Sequence, residues 1–239
     1  MQTFIRTLAL LFEPGSELRQ IICVTLYMAF FSTTISACLG IPLGVLIGSR
    51  DFWGKRLTMR ILNTLMGLPP VVAGLLVFFL LSRSGPLGEF RLLYSVPAMV
   101  TAQVILITPV VVGLSATIVS DRAPRLRETA VGMGMGRWQE ALCLLYDCRA
   151  QLLSAVFIGF GRSIAEVGAV SIVGGNVQYK TRVMTTAIML ETNKGNFGLA
   201  VALGIVLLFI SFIINTLALS LQEREAARKE GKQAHGSHR

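Results

Sequence analysis

Charge is scarce in this sequence, and it is missing in long blocks. Charged residues make up 15% of the chain, against about 25% in soluble domains. Gln20–Ser49, Ile61–Ser82, Leu92–Ser120 and Gly195–Gln222 contain no Asp, Glu, Lys or Arg. Each is long enough to cross a hydrocarbon core of about 30 Å, which takes about 20 helical residues. A fifth stretch, Ala150–Tyr179, would be equally blank but for Arg162 and Glu166. Four long blanks exclude a soluble protein with a few buried helices. The reading is an all-α integral membrane protein, a bundle of five transmembrane helices over residues 21–48, 61–82, 96–119, 152–175 and 198–220.

Other absences remove most catalytic chemistry. Both histidines, His235 and His238, fall in the polar C-terminal segment, so no Ser/His/Asp set forms and no His-x-x-x-His pair can hold zinc. Cys23, Cys38, Cys143 and Cys148 lack neighbours at metal-ligand spacing and read as unpaired thiols. No GxxxxGK[ST] run is present, so the chain has no P-loop of its own. Glu166 is the one carboxylate placed inside a span, too little for intramembrane catalysis. The chain is therefore expected not to be an enzyme and to carry no cofactor or metal. Met1–Phe12 is apolar but short and ends in a turn, "EPGSE"; residues 1–20 read as a short interfacial segment, not a cleaved leader.

The charge that is present is unevenly placed. With five spans, the N-terminus and the 83–91 and 180–194 loops share one side and hold seven Lys/Arg. The 50–60 loop, the 121–149 loop and the segment after Gln222 share the other side and hold fourteen. Lys and Arg accumulate on the cytoplasmic side, which puts the N-terminus outside and the C-terminus inside. The net charge of +9 follows from this topology and requires no nucleic-acid partner. Residues 21–221 form one membrane domain, and the charged tail 222–239 is expected to be disordered.

The spans carry unusual residues: Gly40, Pro42, Gly44 and Gly48 in the first, "GLPPVVAG" in the second, Gln103 and Pro109 in the third. Proline frees a carbonyl that must find another partner in lipid. Such helices either pack closely or line a water-filled path, and the residues alone leave both open. The longest internal polar segment, a cytoplasmic loop at 120–150, mixes Leu126, Ala130, Met133, Trp138, Leu142 and Leu145 with charges and is interrupted by Gly132, Gly134 and Gly136. Helix connections are usually two to eight residues, so this one reads as a docking surface for a cytoplasmic partner. Arg162 and Glu166 stand four apart, one face of a helix if the helix is continuous. A charge at mid-bilayer costs roughly 2.5–3.5 kcal/mol on insertion scales. Two are tolerated as a structural ion pair or as a pair lining a translocation path, both open.

The 120–150 loop resembles the coupling motif of ABC importer permeases, E-A-A, three residues and Gly, then I-x-L-P about ten residues later. Glu128, Ala130 and Gly134 fill the first part, with Thr129 replacing an alanine; Leu144–Asp147 replaces the second. Leu68–Gly88 and Gly161–Asn176 resemble oxyanion permeases of the molybdate, sulfate and tungstate group, and Thr181–Ala200 resembles the tungstate branch. The resemblance implies a type I ABC importer permease in a prokaryotic cell membrane, importing tungstate, with molybdate or sulfate as the alternative. It implies a homodimer, a cytoplasmic ATPase dimer that holds the ATP and Mg, and an extracytoplasmic binding protein. Glu128, Ala130 and Gly134 would couple to the ATPase. Arg162, Ser163, Glu166, Ser171, Asn176 and Gln103 are candidates for the anion path or its gate. Lys180, Arg182 and Lys194 are candidates for binding-protein docking. A stand-alone ion-coupled transporter or channel is the distant alternative.

Overall fold

A computed structural model of the chain describes residues 17–236. The interfacial reading of residues 1–16 lies outside this range. The elements are α1 (Glu17–Ser49), α2 (Lys55–Met66), α3 (Pro70–Leu81), a 3-10 turn at Gly88–Phe90, α4 (Val96–Gly132), α5 (Arg137–Asp147), α6 (Arg149–Ala165), α7 (Gly168–Gly174), α8 (Met184–Asn193) and α9 (Phe197–Gly236). Among the described residues there is no strand.

Among the described residues three helices are long and apolar enough to span a membrane: Glu17–Ser49, Val96–Ala130 and Phe197–Leu217. Two further spans are possible only as bent pairs. α2 and α3 meet at 93°, and α5 and α6 meet at 67°. The span read as continuous over 61–82 is thus broken at Gly67–Pro69. The cause is local: Pro69 sits in extended conformation (φ −61, ψ 127) and Pro70 opens α3 as its first residue, where proline's missing N–H costs nothing. The span read at 152–175 is also broken, between Ala165 and Gly168. The last helix runs to Gly236, where a disordered tail was expected; Glu, Ala, Arg and Lys, which dominate that segment, are strong helix formers.

The chain divides into two compact units whose boundaries fall inside α1, α4, α6 and α9. The first holds residues 17–35, 67–107 and 160–212. Its core is Ala73, Val77 and Leu81 of α3, Ala98, Ala102 and Leu106 of α4, and Ala169 and Val173 of α7. The contact of α3 with α7 depends on Gly74: a Cβ there would stand 2.6 Å from the Ala169 Cα. A smaller cluster joins Leu18 and Ile21 to Met184, Ala187 and Leu203.

The second unit holds Ser36–Met66, Thr108–Gly159 and the chain from 213 on. Gly40, Gly44 and Gly48 form one stripe of α1 pressed on Val111, Ser115, Ala116 and Val119 of α4. A Cβ on Gly44 would lie 2.4 Å from the Ser115 Cβ. Small residues at this spacing let helices pack closely where lipid supplies no hydrophobic drive. Leu144, Cys148 and Leu152 then bury against Val45, Val119 and Ala123, docking the α5–α6 bend on this pair. The apolar window of α4 is 61% buried and that of α9 only 17%, so α4 is interior and α9 presents its side chains outward.

Candidate functional site

The first candidate region is the break between α6 and α7. A helix end in an apolar surrounding leaves carbonyls and N–H groups that must be satisfied, and two of the carbonyls here accept from side chains of other helices. The Ser163 carbonyl accepts from Gln103 Nε2 at 2.9 Å. The Glu166 carbonyl accepts from Thr185 Oγ1 at 2.8 Å. At the start of α7, Ala169 N donates to Glu166 Oε1 at 3.1 Å. Glu166 therefore lies outside the helix that carries Arg162 and caps the next one.

This corrects the expectation of a one-face pair. α6 ends at Ala165, so Arg162 and Glu166 do not share one continuous helix, and the Glu166 carboxylate accepts from the Ala169 N–H of α7. Glu166 is 8% exposed. Its burial is offset by a backbone hydrogen bond to a charged acceptor, the stronger kind.

Gln103 and Ser163 are brought together, and with them Ser32, which sequence reasoning missed. Gln103 Oε1 accepts from Ser32 Oγ at 2.8 Å and also from Ser163 Oγ. The two serine hydroxyls stand 3.0 Å apart. All three residues are fully buried. Their polar atoms are used on one another, joining α1, α4 and α6 within the first unit. Gln103 and Ser163 thus bridge helices inside the first unit. Nothing in the sequence distinguished Ser32 from its neighbours in a charge-free run; its partner lies 71 residues away.

The outer loop after α7 is unusual in backbone. Gly175, Asn176 and Tyr179 have positive φ, as do Arg91 and Tyr94 in the preceding loop. Glycine is required at 175: a Cβ there would stand 2.6 Å from the Tyr94 ring. Asn176 Oδ1 accepts from Arg182 Nε at 3.3 Å. Arg182 also pairs with Glu17 at the start of α1, and Glu17 accepts from Gln178 at 2.9 Å. Lys194 pairs with Glu191 at 2.9 Å, and that hydrogen bond, against a smaller opposing effect of burial, holds the Glu191 carboxyl below its ordinary range. Of the three cations predicted to dock a partner, Arg182 and Lys194 are thus engaged within the chain, while Lys180 is exposed. Ser171 is half-buried on α7.

The second region is the end of α4 and the start of α5. Gly134 has φ +68, and Met135 N donates to the Ala130 carbonyl at 2.9 Å. That is a left-handed helix stop of the Schellman kind, which favours glycine. A Cβ on Gly134 would meet nothing within 4 Å. Within the chain, then, glycine is needed for its φ and not for close approach. α5 begins as Gln139 Oε1 accepts the Gly136 N–H at 2.9 Å. Ala130 is buried, Glu128 is exposed, and Met133 and Trp138 on either side of the turn are 61% and 76% exposed. Arg127 lies 3.9 Å from Asp51 and 3.8 Å from Glu140, tying the first charged loop to α5. Beside the turn a cavity of about 330 Å³ is lined by Thr129, Ala130, Met133, Met135 and Cys143.

Broken spans, buried polar bridges and an exposed helix stop on the basic side are compatible with a transport protein of the permease class, and the comparisons with known proteins establish that class. The chain's residues 40–226 match the family of binding-protein-dependent transport system inner membrane components, and the chain belongs to that family. It is 40% identical over 212 residues to the tungstate uptake system permease protein TupB of Peptoclostridium acidaminophilum, covering 89% of this chain and 92% of that one. It is 39% identical to a probable anion ABC transporter permease protein of Haloferax volcanii, over 87% of this chain and 92% of the relative. The sulfate permease CysT of Escherichia coli is 27% identical, over 87% of this chain and 78% of that one. The crystal structure of a bacterial ABC transporter that imports alginate aligns with TM-score 0.70 and 20% identity, over 92% of this chain and 83% of that chain. The fold is that of an ABC importer permease, a multi-pass inner-membrane subunit.

Proposed function

We propose that the chain is the membrane subunit of a tungstate importer. The observation that carries this is the 40% identity, over nearly the full length of both chains, to a tungstate uptake permease. Two copies of the chain form the path. A separate ATPase dimer hydrolyses ATP with Mg at the cytoplasmic face, and a binding protein delivers the anion outside.

The geometry supports a division of labour. Glu128, Ala130 and Gly134 mark the turn through which the ATPase moves α4 and α5. The break at Glu166–Val167 lets α6 and α7 change their mutual angle without exposing unsatisfied backbone. The Ser32–Gln103–Ser163 lock holds one state. When it opens, its hydroxyl and amide donors, with Arg162 on the preceding turn and Ser171 and Asn176 on the outer side, become available to a tetrahedral dianion. Weak, successive donors suit passage, since a tight site would retain the ion.

The test is uptake by the complete transporter in cells lacking other oxyanion importers, with tungstate as label and molybdate or sulfate as competitor. Tungstate uptake that resists a large excess of sulfate is expected. Uptake of sulfate with no tungstate accumulation would contradict the assignment.

A further inference from the structure

We infer that the second unit carries a site for one anionic phospholipid, in the groove between the end of α1 and α5. The groove has a volume of about 680 Å³ and is walled by Pro42, Val45, Leu46, Leu142 and Leu145. At its mouth stand Arg50, Phe52, Arg137 and Trp138. Arg50 and Arg137 are exposed and carry no ion pair among the described residues. Arg127, Asp51 and Glu140 line the same groove. Asp51 lies 3.2 Å from Lys55, and Glu140, whose Oε1 has no hydrogen-bond partner among the described residues, lies 3.8 Å from Arg127. The groove therefore has three guanidinium groups to two carboxylates, and those of Arg50 and Arg137 are outside the ion pairs, above an apolar wall.

The choice of lipid over a protein segment follows from where these residues fall. Arg50 is the first charge after a run of thirty uncharged residues, so it marks the water boundary of α1. Leu39, Leu43 and Leu46 are about half exposed and recur at helical spacing, leading from the groove into the apolar length of α1. A phosphate on Arg50 and Arg137 would place an acyl chain along that stripe. Trp138 beside the mouth is of the type enriched at membrane–water interfaces. Basic pockets between helices on the cytoplasmic side take anionic headgroups. The site rests on the membrane reading of α1 and not on the identity of the transported anion.

The experiment is native mass spectrometry of the purified full chain in neutral detergent, with phosphatidylglycerol and phosphatidylcholine of identical acyl chains at equal concentration. The expected result is one retained phosphatidylglycerol in preference to phosphatidylcholine. Arg50→Gln with Arg137→Gln should reduce that preference by about fivefold per arginine, and so roughly thirtyfold for the pair. Arg50→Lys with Arg137→Lys should keep most of it, which separates lost charge from lost fold. Leu46→Trp with Leu142→Trp should fill the groove and release the lipid with both arginines intact. Inorganic phosphate added in excess should not displace it. No headgroup preference in the unaltered chain, or a preference untouched by the glutamine variant, overturns the site. So does phosphate displacing the lipid. Loss of ATPase co-purification by the glutamine variant in lipid-free detergent, with lipid preference retained, would assign the groove to the protein partner instead.

Discussion

The break at Glu166–Val167 and the turn at Gly134 are both places where a long helix stops, and they are satisfied in opposite ways. At the first, donors come from distant helices: Gln103 of α4 and Thr185 of α8 reach the freed carbonyls, and Glu166 caps α7. At the second, the bonds are local: Met135 N donates to the Ala130 carbonyl, and Gly136 N to Gln139 Oε1. Around the break the polar groups are buried and used on one another; around the turn Met133 and Glu128 are exposed. The inner break is complete within one chain. The turn has the surface of an element that a partner completes. A change at the turn should therefore spare the isolated subunit and harm the assembly, while a change at the break should harm the subunit itself.

The largest effect is expected at Gly134. A non-glycine residue in the left-handed region costs roughly 1–2 kcal/mol, and more with a β-branched side chain. Gly134→Val should cut ATP-driven uptake by about tenfold or more, because the turn is re-aimed, while detergent-purified subunit still elutes normally. Normal uptake by Gly134→Val would put the coupling element elsewhere. Glu128→Lys, on the exposed face, should lower ATPase co-purification without altering the melting temperature of the subunit.

Gln103→Leu should do the reverse. It removes the acceptor shared by the Ser32 and Ser163 hydroxyls and a donor to the Ser163 carbonyl, and each hydrogen bond lost costs a net of about 0.5–1.5 kcal/mol. The melting temperature of the purified subunit should fall while the ATPase still binds. Thr185→Val removes a single hydrogen bond to the Glu166 carbonyl and should cost about 1 kcal/mol by the same measurement.

Glu166 supplies a sharper comparison. Glu166→Ala removes the acceptor of the Ala169 N–H and should lower the stability of the subunit by about 1.5–3 kcal/mol, the range for a hydrogen bond to a charged group; an unchanged melting temperature would remove the capping role. The smallest effect belongs to Lys194→Ala. The folded Glu191 carboxyl is held low, chiefly by Lys194, so its contribution is present above the ordinary carboxylate value and lost as pH falls through the folded value. The stability difference between variant and wild type should shrink toward zero on acidification; a difference that grows in acid would contradict the assignment.

What the sequence disclosed was the part governed by long-range composition. Charge-free runs located α1, α4 and α9, because a span needs only length and apolarity. Gly132, Gly134 and Gly136 were legible as interruptions of the 120–150 segment, and the helix stop falls at one of them, Gly134, through its φ of +68 and not through the close approach that the coupling motif suggested. The break at Gly67–Pro69 was half legible: the prolines were visible in the span, but the size of the bend, 93°, is not a property of local pattern. The second break was not legible. "SIAEVGAV" contains no proline, and Glu166 as a helix cap is recognised only once the helix is known to end there. Ser32, Thr185 and Glu17 matter through partners 71, 19 and 165 residues distant, respectively, in sequence, and local pattern carries no trace of that. The segment after 222 was read by charge as a disordered tail, although its residues also favour helix.

The central claim is that the chain conducts an anion but is driven from outside itself. Vesicles reconstituted with the purified chain alone, and with the chain plus its ATPase and binding protein, test it directly with labelled tungstate and enclosed ATP. Accumulation above the outside concentration is expected only in the complete system, and only on ATP hydrolysis. Concentrative uptake by the chain alone would contradict the account.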